Sequence, residues 1–231
     1  MTWRRGDVLL AVAAIVVAGI CVAAGVWQLD RLAQRRARNA DLEARLARPP
    51  LELGSAGTIA PPADSAHRRR VTARGVYDYD REWVRPGRSF QGTPGVALLT
   101  PLRFADGSVV LVDRGWVPSP DAFHIEREPL REGDTTVTIT GLALAAPRGP
   151  RDVNPRTLRD SLPYALLPFV IQQTAPPAAT ASGLPRRWPP PTLSNGPHLF
   201  YAIQWFSFAL VALVGTAVLL RKSSRTGELS R

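Results

Sequence analysis

The sequence predicts an α+β membrane protein in which two transmembrane α-helices flank a mainly antiparallel β domain. Three observations carry this. Two long runs without a charged residue lie towards the two ends, Val8 to Leu29 and Leu199 to Leu220. Between them, short segments rich in Val, Ile, Leu and Thr alternate with polar residues at the period of two that a half-buried strand requires. Gly, Pro and an Asp-Gly pair punctuate those segments where tight turns belong.

Residues 1–7 form an N-terminal tail and residues 8–29 the first span, since a helix of about 20 apolar residues crosses a hydrocarbon core of about 30 Å. This run is longer than the apolar region of a signal peptide and has no small-x-small exit before Trp27, so it reads as a retained anchor. Residues 30–48 ("DRLAQRRARNADLEARLAR") are helix formers without Gly or Pro, so the helix is expected to leave the membrane and stop at Pro49-Pro50.

The β-rich domain is expected over residues 49–173, opening with a small, polar loop from Gly54 to Ala66. "RRVTARGVYDY" alternates, and "REWVRP" follows at a hairpin's distance. "GVALLTPLRF" and "SVVLVDRGWV" are joined through Ala105-Asp106-Gly107, a strong hairpin signal. "TTVTITGLALA" changes phase at Gly141, which a bulge there would explain, and "YALLPFVIQQT" supplies a last strand of a partly closed sheet. The proline-dense residues 174–198 read as an extended connector, 199–220 as the second span and 221–231 as a tail on the same side as the N-terminus.

The net charge of +10 comes from 29 basic residues, of which only Lys222 is lysine. The arginines are spread along the chain, not clustered among aromatic or Gly-rich signatures, which argues against nucleic-acid binding. The single Cys21 excludes an internal disulfide and a CxxC site. No GxSxG, P-loop or GxGxxG follows a strand, and His67, His124 and His198 lack metal-ligand spacing, so the chain reads as a non-enzyme without a resident metal. Asp78, Asp80 and Glu82 would share one face of a strand, either as a metal site or as a solvated edge against Arg81 and Arg85. Basic residues flank both sides of the spans, and the positive-inside rule is weak for long domains, so charge leaves the orientation open.

Four blocks, "GVWQLDR", "RRVTARGVYDYDREWVRPGR", "GVALLTPLRFADGSVVLVDRGWVP" and "HLFYAIQWF", resemble in order and spacing the Surfeit locus family of cytochrome c oxidase assembly factors. The chain departs from that family's usual pattern in having Asp113 where Asn is common, Gly87 inserted between Pro86 and Arg88, and Gly196-Pro197 before the histidine. The resemblance implies a bacterial plasma-membrane protein with an extracytoplasmic domain and both termini in the cytoplasm. It also implies help in delivering haem a to the catalytic subunit of the oxidase, with that subunit, other assembly factors and membrane lipid as partners. The alternatives are a scaffold for oxidase subunits that never ligates haem, and a membrane-anchored extracytoplasmic binding protein.

Haem requires a neutral imidazole as axial ligand, an aromatic wall and a cation for its propionates. His198, Tyr201 with Trp205, and Arg31 could provide these; otherwise His198 and the aromatic rings simply mark the membrane interface. In antiparallel helices Trp27, Gln28 and Arg31 lie level with His198, Tyr201 and Gln204, and Gln28 with Gln204 reads as an interhelical hydrogen bond. In the domain, Arg85, Arg114 and Trp116 stand out, either as structural pairs with Asp113, Asp78 or Glu82 or as contacts to an oxidase subunit.

Overall fold

A computed structural model describes residues 5–55, 60–121, 123–132, 136–146, 153, 155–158, 161–174 and 183–228. The expected outermost ends of both tails and residues 175–182 of the expected connector lie outside these. The chain forms two compact units, one of Met1–Asp41 with Leu193–Arg231, the other Leu42–Thr192.

The first unit is a pair of helices, α1 (Arg5–Ala47) and α3 (His198–Glu228). Both contain stretches long and apolar enough to cross a membrane. Helix α1 runs on through the arginine-rich segment and ends just before Pro49, whose ring would clash with a further turn. Within this unit α1 buries Ala14, Ala18, Cys21 and Gly25, spaced so that one stripe of small side chains faces α3. Ala18 and Cys21 pack on Ala209 and Trp205. Gly25 is needed because a Cβ there would stand 2.6 Å from the Phe206 ring. Partners that descend along α3 as α1 ascends make the pair antiparallel, and small residues are what let helix backbones approach closely.

The second unit is a β barrel with a one-turn helix α2 (Ala63–Ala66). Its strands are β1 (Leu51–Leu53), β2 (Arg70–Tyr77), β3 (Trp83–Phe90), β4 (Thr93–Arg103), β5 (Val109–Pro118), β6 (Val137–Ala145) and β7 (Leu166–Gln173). They pair in the order β1-β2-β6-β7-β5-β4-β3, and β2 also pairs with β4, which closes the ring. Closure occurs where Val76 meets Arg103 and Tyr77 meets Leu102. Gly75 permits it, since a Cβ there would lie 2.5 Å from the Arg103 carbonyl oxygen. Inside the ring, Leu102, Val110, Val112, Phe169 and Ile171 are fully buried.

The Asp106-Gly107 hairpin forms as the sequence indicates, with Gly107 at φ 84° and the Asp106 carboxylate accepting from Ser108 N and Oγ at 2.9 and 2.7 Å. The sheet is mainly antiparallel, as expected, with two parallel pairings, β1 with β2 and β5 with β7. Two expectations are corrected. Strands β2 and β3 do not pair with each other as a hairpin; after the 3-10 turn Tyr79–Arg81 the chain continues along the same edge of β4, with Tyr77 opposite Leu102 and Trp83 opposite Leu99. Gly141 is not a bulge. Its register is unbroken towards both β2 and β7, and its phase shift arises because Leu142 on the opposite face is buried as well. What requires glycine is crowding, with the Gln172 carbonyl oxygen 2.5 Å from where a Cβ would be.

The bulge that matters lies in β5. Leu98 pairs with Gly115 and Leu99 with Asp113, so Arg114 has no residue opposite it. An extra residue of this kind bends a strand and re-aims a side chain. Beyond the bulge, residues of the expected connector add a short strap. Trp116 N donates to the Arg186 carbonyl at 2.8 Å, and Arg186 N donates back to the Trp116 carbonyl at 2.7 Å. The compact β unit therefore takes in a segment that the prolines alone mark as a linker.

Candidate functional site

Two polar centres are built into otherwise apolar surroundings, one in each unit. In the helix pair it sits where α3 begins. His198 occupies the first turn of α3, and Tyr201 N donates to the Pro197 carbonyl at 3.1 Å to start the helix. The His198 ring is half-buried, and its Nδ1 lies 2.9 Å from Gln28 Oε1 on α1. An amide oxygen only accepts, so Nδ1 carries a proton, and in the neutral ring Nε2 then carries the lone pair. On the Nε2 side stands Gly196, at φ 66°, where a Cβ would be 3.5 Å from Nε2 and 3.3 Å from Cδ2. A second rung follows outside the apolar run, Asn39 Nδ2 donating to Asn195 Oδ1 at 3.1 Å.

The other residues expected here are arranged differently. Gln204 is exposed, so Gln28 pairs with His198 and not with Gln204. Trp205 turns into the helix seam against Ala18, Cys21 and Ala209, where packing outcompetes any role as an open wall. Tyr201 is 43% exposed and stacks edge-on with Phe200 at 6.1 Å, which leaves these two rings as the accessible aromatic surface of that turn. Arg31 lies over the Trp27 ring at 5.2 Å and donates to Gln34 Oε1 at 3.1 Å. As a haem site, the donor set fits at the histidine, whose Nδ1 is held by an amide oxygen so that the far nitrogen is left to ligate; it does not fit at Trp205.

In the barrel the centre is Arg114, which is completely buried. Its bulge position sends the guanidinium inward, where Nη1 donates to Glu82 Oε2 at 2.7 Å and Nη2 to Glu132 Oε1 at 2.8 Å. Nη2 also donates to the Leu130 carbonyl, and Nε to Glu132 Oε1 at 3.0 Å. The rings of Tyr77 and Tyr79 face the guanidinium at 5.2 and 5.0 Å. Arg187 from the strap donates to Glu132 Oε2 and to the Arg114 carbonyl, closing the network. Each carboxylate in it has a guanidinium partner, so no charge of the cluster is buried alone. Burial alone would raise the Glu132 pKa, but the hydrogen bond and charge of Arg187 and the charge of Arg114 bring it below its ordinary value. Burial pushes the Tyr77 hydroxyl well above its ordinary range.

Next to this cluster Asp113 accepts from Trp188 Nε1 at 2.7 Å and Gly115 N at 3.1 Å. Burial raises its pKa despite these bonds and the nearby charges of Arg88 and Arg85. Trp116 is 5% exposed and packs with Phe90 at 5.7 Å. Arg114 and Trp116 are thus structural, and their burial rules them out as direct contacts for another protein in this fold; Arg85 is half-buried beside Asp113. The suspected carboxylate cluster is taken apart by the 3-10 turn. Asp78 pairs with Arg81 at 3.2 Å and accepts from Tyr164, Glu82 binds Arg114, and Asp80 lies 3.9 Å from Arg131. A cleft of about 230 Å³ lined by Tyr79, Asp80, Glu82, Arg127, Glu128 and Arg131 opens beside it. Sequence reading missed Glu132, Arg187 and Trp188, which sit in irregular segments where no periodicity marks an inward side chain.

The described chain thus comprises a closed β barrel and a pair of helices apolar enough to cross a membrane, with a histidine bonded across that pair. The sequence pattern of the SURF1 family matches residues 15–210, and the chain belongs to that family. It is 29% identical to a SURF1-like protein of Monosiga brevicollis, over 89% of this chain and 85% of that one. It is also 30% identical to a protein of Mycobacterium bovis named as an uncharacterized SURF1-like protein, over 92% of this chain and 82% of that one. A shorter match of 28% identity covers 42% of the chain and 41% of a SURF1-like protein of Rickettsia felis.

Proposed function

We propose that this protein is a non-catalytic assembly factor for a haem–copper cytochrome c oxidase, anchored in the bacterial plasma membrane with its β barrel outside the cytoplasm. Haem a is its cargo, passed to the catalytic subunit of the oxidase at the membrane surface. Family membership supports the link to oxidase assembly. The observation that carries the cargo reading is the bond between His198 Nδ1 and Gln28 Oε1, which presents Nε2 as an acceptor at the end of two apolar helices. His198 would ligate the iron, the exposed faces of Phe200 and Tyr201 would shelter the macrocycle, and Arg31 would offer a cation to a propionate.

What the chain itself does is modest and physical. The helix seam holds the ring in place, and the apolar runs keep the site at the boundary between lipid and water. The experiment is to purify the whole chain in detergent from cells that make haem a and record its absorption spectrum. Wild type should carry haem, and His198→Ala should lose it while still inserting in the membrane. Wild type that co-purifies with oxidase subunits but never carries haem would sink the cargo reading and favour the scaffold.

A further inference from the structure

We infer that Gln28 is a positioning residue for His198: it sets the ring's tautomer and aim, so that Nε2 is ready to ligate before any cargo arrives. The inference rests on the reading of His198 as a ligand and adds a residue to it. An unconstrained histidine side chain in water favours the form with its proton on Nε2, which has no lone pair there. The acceptor Gln28 Oε1, 2.9 Å from Nδ1, reverses that preference. His67 provides a contrast within the same chain, because its Nδ1 accepts from Ala145 N at 3.0 Å and its proton must sit on Nε2.

The geometry is well supported around Gln28. Gly25, one turn before it, lies close under the Phe206 ring, which would stand 2.6 Å from a Cβ there, so the two helices approach closely beside Gln28. The Asn39–Asn195 bond links α1 to the segment leading into α3 on the other side. Gln28 is half-buried, and its amide would lose a hydrogen bond next to lipid if the histidine were absent, which holds the pair together from both ends. Partners of a ligating histidine's second nitrogen are worth about 10–100-fold in metal affinity. The sequence already placed Gln28 level with His198, yet no local pattern distinguishes a residue that glues helices from one that orients a ligand.

The test uses the full chain in detergent micelles with 15N-labelled histidine, and reads by NMR which ring nitrogen carries the proton. His198 should show Nδ1–H and His67 Nε2–H. Gln28→Met should move His198 towards Nε2–H, and Gln28→Glu, which restores an oxygen acceptor, should bring Nδ1–H back. In parallel, titration with haemin should show affinity reduced by about 10-fold or more in Gln28→Met, recovered in Gln28→Glu, and lost in His198→Ala. Nε2–H at His198 in the wild type, or Nδ1–H persisting in Gln28→Met, overturns the inference. So does haemin affinity that falls in His198→Ala but not in Gln28→Met. A tautomer that responds as stated while haemin affinity ignores His198→Ala upholds the positioning by Gln28 and sinks the ligand reading instead.

Discussion

Arg114 concentrates the energetics of the barrel in one side chain. It is fully buried between two carboxylates and two tyrosine rings, so removing it leaves Glu82 and part of Glu132 charged in a poorly solvated place. Arg114→Met should cost about 3–5 kcal/mol, read as a lower urea midpoint by tryptophan fluorescence; a loss within 1 kcal/mol would show that the carboxylates find other partners. Asp113 carries the opposite sign. Its folded pKa lies above the ordinary 3.8, so the charged form is penalised by folding at neutral pH and the penalty fades as pH falls through the folded value. Asp113→Asn keeps an oxygen for Trp188 Nε1 and Gly115 N and removes the charge. It should therefore melt higher than wild type at neutral pH, with the difference shrinking in acid. A lower melting temperature at neutral pH would mean that the attraction to Arg88 and Arg85 outweighs burial.

At the scale of elements, β5 shows how much one bulge can organise. The bulge turns Arg114 inward, and the next residue, Gly115, takes φ 127° with the Arg186 carbonyl oxygen 2.3 Å from a would-be Cβ. That close approach is how the strap docks and delivers Arg187 and Trp188 to Glu132 and Asp113. Gly107 in the hairpin also has positive φ, 84°, but nothing within 4 Å. Gly107→Ala should cost only the backbone term, about 1–2 kcal/mol. Gly115→Ala should cost clearly more and expose Trp188, seen as a red-shifted emission. Equal losses at the two sites would show that the strap does not depend on that contact.

For the whole molecule, the division at Asp41/Leu42 and Thr192/Leu193 gives the relevant fragment. Within it Arg45 donates to the His67 carbonyl at 3.2 Å and Arg69 to the Pro49 carbonyl at 2.7 Å, so the end of α1 belongs with the barrel. A fragment of residues 42–192 should fold alone with a circular dichroism spectrum dominated by β structure. One ending at residue 173, without Arg187 and Trp188, should melt markedly lower. Equal melting of the two fragments would remove the strap from the stability of the barrel.

How much of this could be read in advance follows from the range of each signal. The charge-free runs, the helix that ends before Pro49-Pro50, the Asp-Gly hairpin and most strand segments are written in neighbouring residues, because helix and strand periodicities and turn chemistry act over a few positions. The level of Gln28 beside His198 was legible too, from helix rise alone. Its actual partner was not, because the two residues stand 170 positions apart and only the rotation of two packed helices selects His198 over Gln204. The same holds for Glu132 and Arg187 around Arg114, for the parallel pairings, and for the crowding that requires glycine at position 141. By itself the sequence determined which segments become helix or strand and where apolar surface must be buried. Tertiary structure alone decided which polar groups meet inside that surface, since burial makes every such group find a partner wherever the fold brings one within reach.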